Sequence, residues 1–244
     1  MSPYSDDTYG ERVAGVYDTW YDQYEPQAIT LLSELAGGKR ALELGIGTGR
    51  IALPLAANNI KVHGLDASPS MVDRLRAKPG GDRITVGMGN FADVAVEGEF
   101  TLIYIVFNTF FALTSQGEQV RCFRNVAQHL AANGTFLIEA FVPDLKRFTG
   151  GQVNWVTRVG DDSVELDVGQ HDAAAQKVSS NRIILTNGDV RLYPIQIRYA
   201  WPAELDLMAQ LAGLRLHERW SSWERMPFTS ESQKHISIYR HASL

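Results

Sequence analysis

Residues 41–50 read ALELGIGTGR, a short apolar run that breaks into glycines at positions 45, 47 and 49. A strand that ends this way and runs into a helix leaves its backbone free to turn sharply. It also aims the unpaired N–H groups of the helix start at whatever sits above the turn. A dinucleotide turn of the G-x-G-x-x-G type would place its third glycine at position 50, where this chain has Arg50. Outward from this stretch, further short apolar runs follow at 60–65, 84–87, 101–107 and 135–141, each separated from the next by a turn and a helical pattern. Runs without polar alternation, spaced by helices, predict parallel strands buried on both faces. The fold class is α/β and doubly wound, with ligands expected at the carboxyl ends of the strands.

Upstream, residues 9–35 carry Tyr9, Val13, Tyr17, Trp20 and Tyr24, then Ile29, Leu32 and Leu35, at helical spacing. Pro26 divides the stretch into two helices, and Gly37-Gly38 ends the second. Downstream of Pro143 the pattern changes to extended segments joined by turn signals at 160–162, 173–175 and Asn187-Gly188, the last a strong hairpin signal. In VELDVGQH (164–171), Val164, Leu166 and Val168 share one face, and Glu165, Asp167 and His171 the other. Pro202 opens a helix to about Leu211, and two closing strands follow at 214–223 and 235–240. The expected organisation is an N-terminal helical lid at 1–36, a core at 37–149 and 201–244, and an antiparallel β insertion at 150–200.

Composition narrows the function classes. With 23 Lys+Arg against 28 Asp+Glu the formal charge is −5, a poor match to a polyanionic nucleic-acid backbone. The single cysteine, Cys122, cannot form an internal disulfide and fits a reducing compartment. The acidic, polar start lacks the features of a secretory signal. The longest nearly apolar run, 100–113, is interrupted by Asn108 and falls short of the roughly 20 residues of a membrane span. A soluble, cytoplasmic protein without a membrane or nucleic-acid partner is expected.

Two further strand tips carry chemistry. The second ends in VHGLDAS, where Asp66 can accept hydrogen bonds from both hydroxyls of a ribose. The third ends in GMGNF, where Asn90 can pair with an adenine edge and Phe91 can stack on its ring. Taken in order, Glu43-x-Gly45-x-Gly47-x-Gly49, Asp66 and Asn90-Phe91 resemble the successive motifs of class I S-adenosylmethionine-dependent methyltransferases. The resemblance covers residues 38–143 and 201–241. It departs from the family at Asn90, where Asp is usual; Asn keeps the acceptor for the adenine amino group. It implies a Rossmann-like, seven-stranded, mostly parallel sheet and S-adenosyl-L-methionine as cofactor, with S-adenosyl-L-homocysteine as product. Its implied cofactor set is Tyr17, Glu43, Gly45, Gly47, Gly49, Asp66, Ala67, Met71, Asn90, Phe91 and Phe107.

The methyl acceptor is the harder question. The fourth strand tip, residues 107–111 (FNTFF), lacks the two prolines by which nucleic-acid and protein-amide methyltransferases resemble one another, which points toward small molecules. Related small-molecule N-methyltransferases carry a Tyr-Asp pair on the N-terminal helix, here Tyr17-Asp18, whose tyrosine reaches the methionine carboxylate. Tyrosines also form a wall that tolerates a sulfonium or an ammonium. Tyr9, Tyr17 and Glu139 are the catalytic candidates, Glu139 as the carboxylate to hold an acceptor ammonium or take its proton. Tyr9, Phe110 and His171 are the substrate-wall candidates, and no His/Asp cluster of metal-binding type stands out. An aromatic stripe on a helix is also ordinary packing, and that reading is preferred for Trp20 and Tyr24. The layout resembles actinomycete antibiotic-tailoring N-methyltransferases, lincosamide N-methyltransferases among them, and so implies a small-molecule amine acceptor such as an N-demethyllincosamide. Homo-oligomers occur among such enzymes and are an expectation here. Small-molecule O-methylation, with His171 as base, and a NAD-dependent oxidoreductase are the alternatives; a cofactor-binding protein without turnover would carry the same motifs.

Overall fold

The computed structural model describes residues 4–242. Three short helices, α1 (Thr8–Val13), α2 (Tyr17–Trp20) and α3 (Pro26–Ala36), precede β1 (Arg40–Leu44). Then α4 (Ala52–Ala57), β2 (Lys61–Asp66), α5 (Pro69–Arg76), β3 (Thr85–Met88), β4 (Phe100–Ile105), α6 (Gln116–His129) and β5 (Leu130–Phe141) alternate along the chain. Four strands follow without a helix: β6 (Gln152–Val159), β7 (Ser163–Asp172), β8 (Lys177–Thr186) and β9 (Asp189–Arg198). The chain closes with α7 (Pro202–Leu211), β10 (Leu214–Trp220) and β11 (Lys234–His241).

The main sheet has the order β10-β11-β5-β4-β1-β2-β3. Strands β3, β2, β1, β4 and β5 are parallel, and β11 runs antiparallel to both β5 and β10. Strand order reverses between β1 and β4, so the crevice that receives a ligand opens above their carboxyl ends. The reversal works because β1 is covered on both faces: Ala41, Leu42 and Leu44 are fully buried. Leu42 and Leu44 join an apolar layer with Phe123, Phe136 and Tyr239, and Ala41 joins the opposite layer with Leu32, Leu55, Leu102 and Tyr104. Local signals place the helices. Pro26 starts α3 and left-handed Gly37 ends it, while Ser115 and Glu118 cap α6 reciprocally. Pro54 stands in the first turn of α4, where its missing N–H costs little.

Two expectations shift. The N-terminal stretch forms three helices rather than two, because the chain turns at 14–16 after α1 has settled on α5. Gly10 permits that approach, since a Cβ there would stand 2.4 Å from Ser68 Cβ. Strand β5 begins at Leu130, five residues earlier than the apolar run suggests, because Leu130 pairs with Phe100 directly at the end of α6.

The second sheet, in the order β6-β7-β8-β9, is an antiparallel meander with Asn187-Gly188 as the two-residue turn between Thr186 and Asp189. Its period-two alternation is present but faces opposite to ordinary polarity. Glu165, only 8% exposed, lies on the inner face, bridged to Arg182, whose guanidinium covers the Trp20 ring at 4.5 Å. Tyr193, in register with Arg182, packs edge-on against Trp20 at 4.7 Å. The aliphatic residues of β7 thus point away from the N-terminal helices.

Arg198 fastens the second sheet to the main one. This buried guanidinium donates to Gln119 Oε1 at 2.5 Å, Gln176 Oε1 at 2.9 Å and Glu204 Oε1 at 2.7 Å, joining β9 to α6 and α7. Removing one member of a buried, hydrogen-bonded ion pair strands the other. Arg198→Ala is expected to lower stability by about 3 kcal/mol in urea unfolding monitored by circular dichroism. A loss below about 1 kcal/mol would show that the network does not hold the two sheets together.

Candidate active site

The turn after β1 has all three glycines in left-handed conformations, with φ of +76° at Gly45, +55° at Gly47 and +78° at Gly49. A Cβ on Gly45 would stand 2.4 Å from Thr109 Cγ2, and one on Gly49 2.2 Å from Leu75 Cδ1. Those two glycines serve close packing within the protein. A Cβ on Gly47 would meet nothing within 4 Å, so its bare backbone faces open space, as a cradle for a ligand requires. The turn is braced from β2: Gly45 N and Ile46 N donate to Leu65 O, and Gly47 N donates to Asp66 Oδ2 at 2.7 Å. Ser68 N donates to Asp66 Oδ1 at 2.9 Å. Burial raises the Asp66 carboxyl above its ordinary value, opposed by the amides of Ser68, Gly47 and Ala67. Glu43 is buried beneath the turn and accepts from Tyr104 Oη at 3.0 Å. Burial pushes its pKa up to about 8.

At the third tip, Asn90 Oδ1 accepts from Ala92 N at 2.8 Å, and Phe91 is buried with its ring edge toward Gly45. The fourth tip is the strained one. Phe107 and Asn108 are consecutive left-handed residues, φ +58° and +65°, a conformation that non-glycine residues hold only when their surroundings enforce it. Strand β5 enforces it. Phe107 N donates to Glu139 Oε2 at 3.0 Å, Asn108 N to Glu139 O at 3.2 Å, and Phe141 N to Asn108 Oδ1 at 2.7 Å. The result exposes Phe107, with Tyr21 edge-on at 4.9 Å and the Arg50 guanidinium over its ring at 4.2 Å. Phe110 does not form a wall of the site. The 3-10 turn Thr109–Ala112 rotates it inward, where it is fully buried against Phe111 and Phe123.

The N-terminal segment crosses these tips and is tied to each of the first three by a carboxylate. Asp6 accepts from Asn90 Nδ2 at 2.9 Å. Glu11 accepts from Ser68 Oγ, Ser70 N and Ser70 Oγ at 2.6–2.9 Å, which holds its pKa below the usual range. Asp18 accepts from Thr48 Oγ1 at 2.6 Å and Lys78 Nζ at 2.8 Å. Between these ties Tyr9, Tyr17 and Tyr21 form one cluster, with the Tyr17 and Tyr21 rings 5.0 Å apart. Burial pushes Tyr17 up to about 12. Met71 and Val13 lie buried beneath the cluster.

A small space of about 30 Å³ remains between Tyr17, the glycine turn, Arg50, Phe107 and Thr109. Past Phe107 and Arg50 it adjoins a cleft of about 560 Å³ whose walls include Tyr24, Glu25, Asn108, Glu139, Trp223 and Lys234. Lys234 Nζ donates to Glu25 Oε1 at 2.6 Å and lies 3.5 Å from Glu139 Oε1. His171 lines neither space; it stacks on Phe148 at 4.3 Å and meets Tyr199 Oη at 2.9 Å, on the inner face of the second sheet. Glu25, Lys234 and the cleft-facing role of Arg50 were not foreseen. The antiparallel pairing of Lys234 with Phe141 brings that lysine to the site from far along the chain.

Residues 41–134 match the family model described as a methyltransferase domain. The solved structure of the CcbJ methyltransferase from Streptomyces caelestis is 39% identical, covers 98% of this chain and 100% of its own, and superposes with a TM-score of 0.92. The chain belongs to the class I S-adenosylmethionine-dependent methyltransferases. The methyltransferase is also 29% identical over 204 residues, 82% of each chain, to the cypemycin N-terminal methyltransferase of a Streptomyces species. The S-adenosylmethionine-bound amino pentose methyltransferase CalS10 from Micromonospora echinaspora shares the fold, at 17% identity and a TM-score of 0.66 over 98% of this chain and 99% of that one. No helix among the described residues of the methyltransferase is long and apolar enough to cross a membrane.

The buried Glu43 gives a pH signature. Its folded pKa of about 8 exceeds the ordinary 4.5, so the folded state binds the extra proton. Its contribution to stability is complete below pH 4.5 and is lost as pH rises through 8. Glu43→Gln should flatten the decline in thermal midpoint across that window. An unchanged pH profile in the variant would place the titration elsewhere.

Proposed function

We propose that this methyltransferase alkylates an amine nitrogen of a small-molecule precursor of a secondary metabolite. The observation that carries the reading is the aromatic and cationic arrangement over the glycine turn: Tyr17, Tyr21 and Phe107, with Arg50 against the Phe107 ring. Tyrosine faces tolerate a sulfonium and an ammonium alike. In this reading Asp66 receives the ribose hydroxyls, Asn90 and Phe91 hold the adenine, and Gly47 lets the backbone approach. Tyr17 and Arg50 stand at the methionine carboxylate. When bound there, S-adenosylmethionine would supply an electrophilic methyl group to the amine lone pair, with S-adenosylhomocysteine as the leaving group and the proton of the resulting ammonium lost to solvent.

The protein's task is to position the acceptor and to keep water away. The cleft beyond Phe107 takes the acceptor, and the N-terminal helices act as its lid. Glu139 commits one oxygen to the Phe107 amide, so only its edge toward Lys234 remains to hold an ammonium. An amine that arrives neutral needs no general base, whereas an alcohol does, and no histidine lines the cleft among the described residues. The nitrogen assignment also draws support from the cypemycin N-terminal methyltransferase.

Product mass spectrometry against amine and hydroxyl acceptors, N-demethyllincosamides included, tests the reading. Methylated amines are expected; methylation of hydroxyls alone would overturn the nitrogen assignment. Asp66→Ala should weaken S-adenosylhomocysteine binding by about 10- to 100-fold in calorimetry, as charge-assisted hydrogen bonds are lost. Unchanged affinity would remove Asp66 from the ribose site.

A further inference from the structure

We propose that Lys234 is a positioning residue for methyl transfer, acting through Glu139 on the Phe107 tip and through Glu25 on the end of the N-terminal segment. The inference rests on the reading above in one respect, that the methyl passes Phe107 into the cleft. Phe107 and Arg50 border both spaces, the small one beside the glycine turn and the larger cleft beyond it. The orientation of that ring therefore governs how acceptor and methyl meet, and a displaced positioning group costs rate far more than binding.

A chain of polar contacts sets the orientation. The left-handed backbone at Phe107 and Asn108 stores strain, and Glu139 Oε2 holds the Phe107 amide at 3.0 Å. The Glu139 side chain is only 13% exposed, and its other oxygen lies 3.5 Å from Lys234 Nζ. A carboxylate so enclosed needs a nearby positive charge to stay ionised and in place. Lys234 supplies it. Burial acts to lower the lysine's pKa, but Glu25 and Glu139 outweigh burial, so the net shift is upward and the side chain stays cationic. Glu25, the residue before α3, anchors the ammonium at 2.6 Å. Register explains why this residue of β11 takes the role. Pairing of Lys234 with Phe141 and of Ile236 with Glu139 puts Lys234 and Glu139 on one face of the sheet. His235 turns to the opposite face, where it meets Ser237.

The lysine's effect on global stability is small. Its side chain and that of Glu25 are 35% and 54% exposed, and ion pairs so placed contribute little to folding. Losing Lys234 loosens the tip without unfolding the sheet, which separates positioning from plain structural support.

Amide hydrogen exchange on the full chain reads the tip without any acceptor. Lys234→Met, which keeps the side-chain length, should speed exchange of the Phe107 and Asn108 amides by about tenfold. Lys234→Arg should leave both near wild type. Circular dichroism, the thermal midpoint and exchange elsewhere in β5 and β11 should hold in both variants. With any acceptor that the product panel identifies, Lys234→Met should lower kcat by about tenfold at nearly unchanged KM, and Lys234→Arg should recover most of it. Glu25→Gln, which loosens the lysine's anchor, should speed exchange at the same two amides by a smaller factor and serves as the reading if the methionine variant misfolds. Unchanged exchange at Phe107 and Asn108 in Lys234→Met, or an equal loss in the methionine and arginine variants, would overturn the proposal. Faster exchange spread along β5 and β11 would overturn it too, reducing the lysine to a structural contact. If no amine is methylated, the nitrogen assignment fails, and the exchange result still decides the role of Lys234.

Discussion

A single hydrogen bond, from the Gly47 amide to the Asp66 carboxylate at 2.7 Å, couples the turn after β1 to the end of β2. The rest of the site depends on it. The turn needs left-handed backbone at three positions, and the packing of Gly45 against Thr109 and of Gly49 against Leu75 leaves no room for adjustment. Asp66 holds the amide of the middle glycine while its second oxygen holds Ser68, the residue that caps α5. Both the helix after β1 and the helix after β2 are therefore aimed by one carboxylate.

The N-terminal helices exploit the same tips from above. Asp6, Glu11 and Asp18 each satisfy polar groups that the strand ends and helix starts leave unpaired. Glu11 sits where the N-terminal dipole of α5 favours negative charge. The acidic character of the opening segment, which alone reads as a solvated face, is in fact distributed among the tips beneath. The strained Phe107-Asn108 pair is governed in the same manner from the side, by Glu139 and by the Phe141 amide.

Much of this was legible in the sequence. Parallel strands announce themselves by short apolar runs, and the glycine spacing, Asp66 and Asn90-Phe91 mark the tips because their chemistry is local. What was not legible depends on tertiary placement. Alternation in β7 gives the period of a strand without saying which face is interior; Glu165 turned inward because Arg182 on the neighbouring strand neutralises it there. Phe107 and Phe110 are three residues apart in an aromatic run, and only the left-handed backbone decides which ring reaches the cleft. Lys234 carries no local signal, since its role follows from the pairing of β11 with β5.

That pairing has a consequence for the order in which the molecule can be built. As strands, β6 to β9 pair only with their chain neighbours, so each hairpin can zip as soon as its turn has formed. The far edge of β5 must wait for β11, 93 residues downstream from Phe141 to Lys234. At ribosomal speeds this is about 5–20 s during which Phe136–Phe141 presents an open strand edge. The nascent chain is then most exposed to mispairing, and a chaperone would find its longest window there.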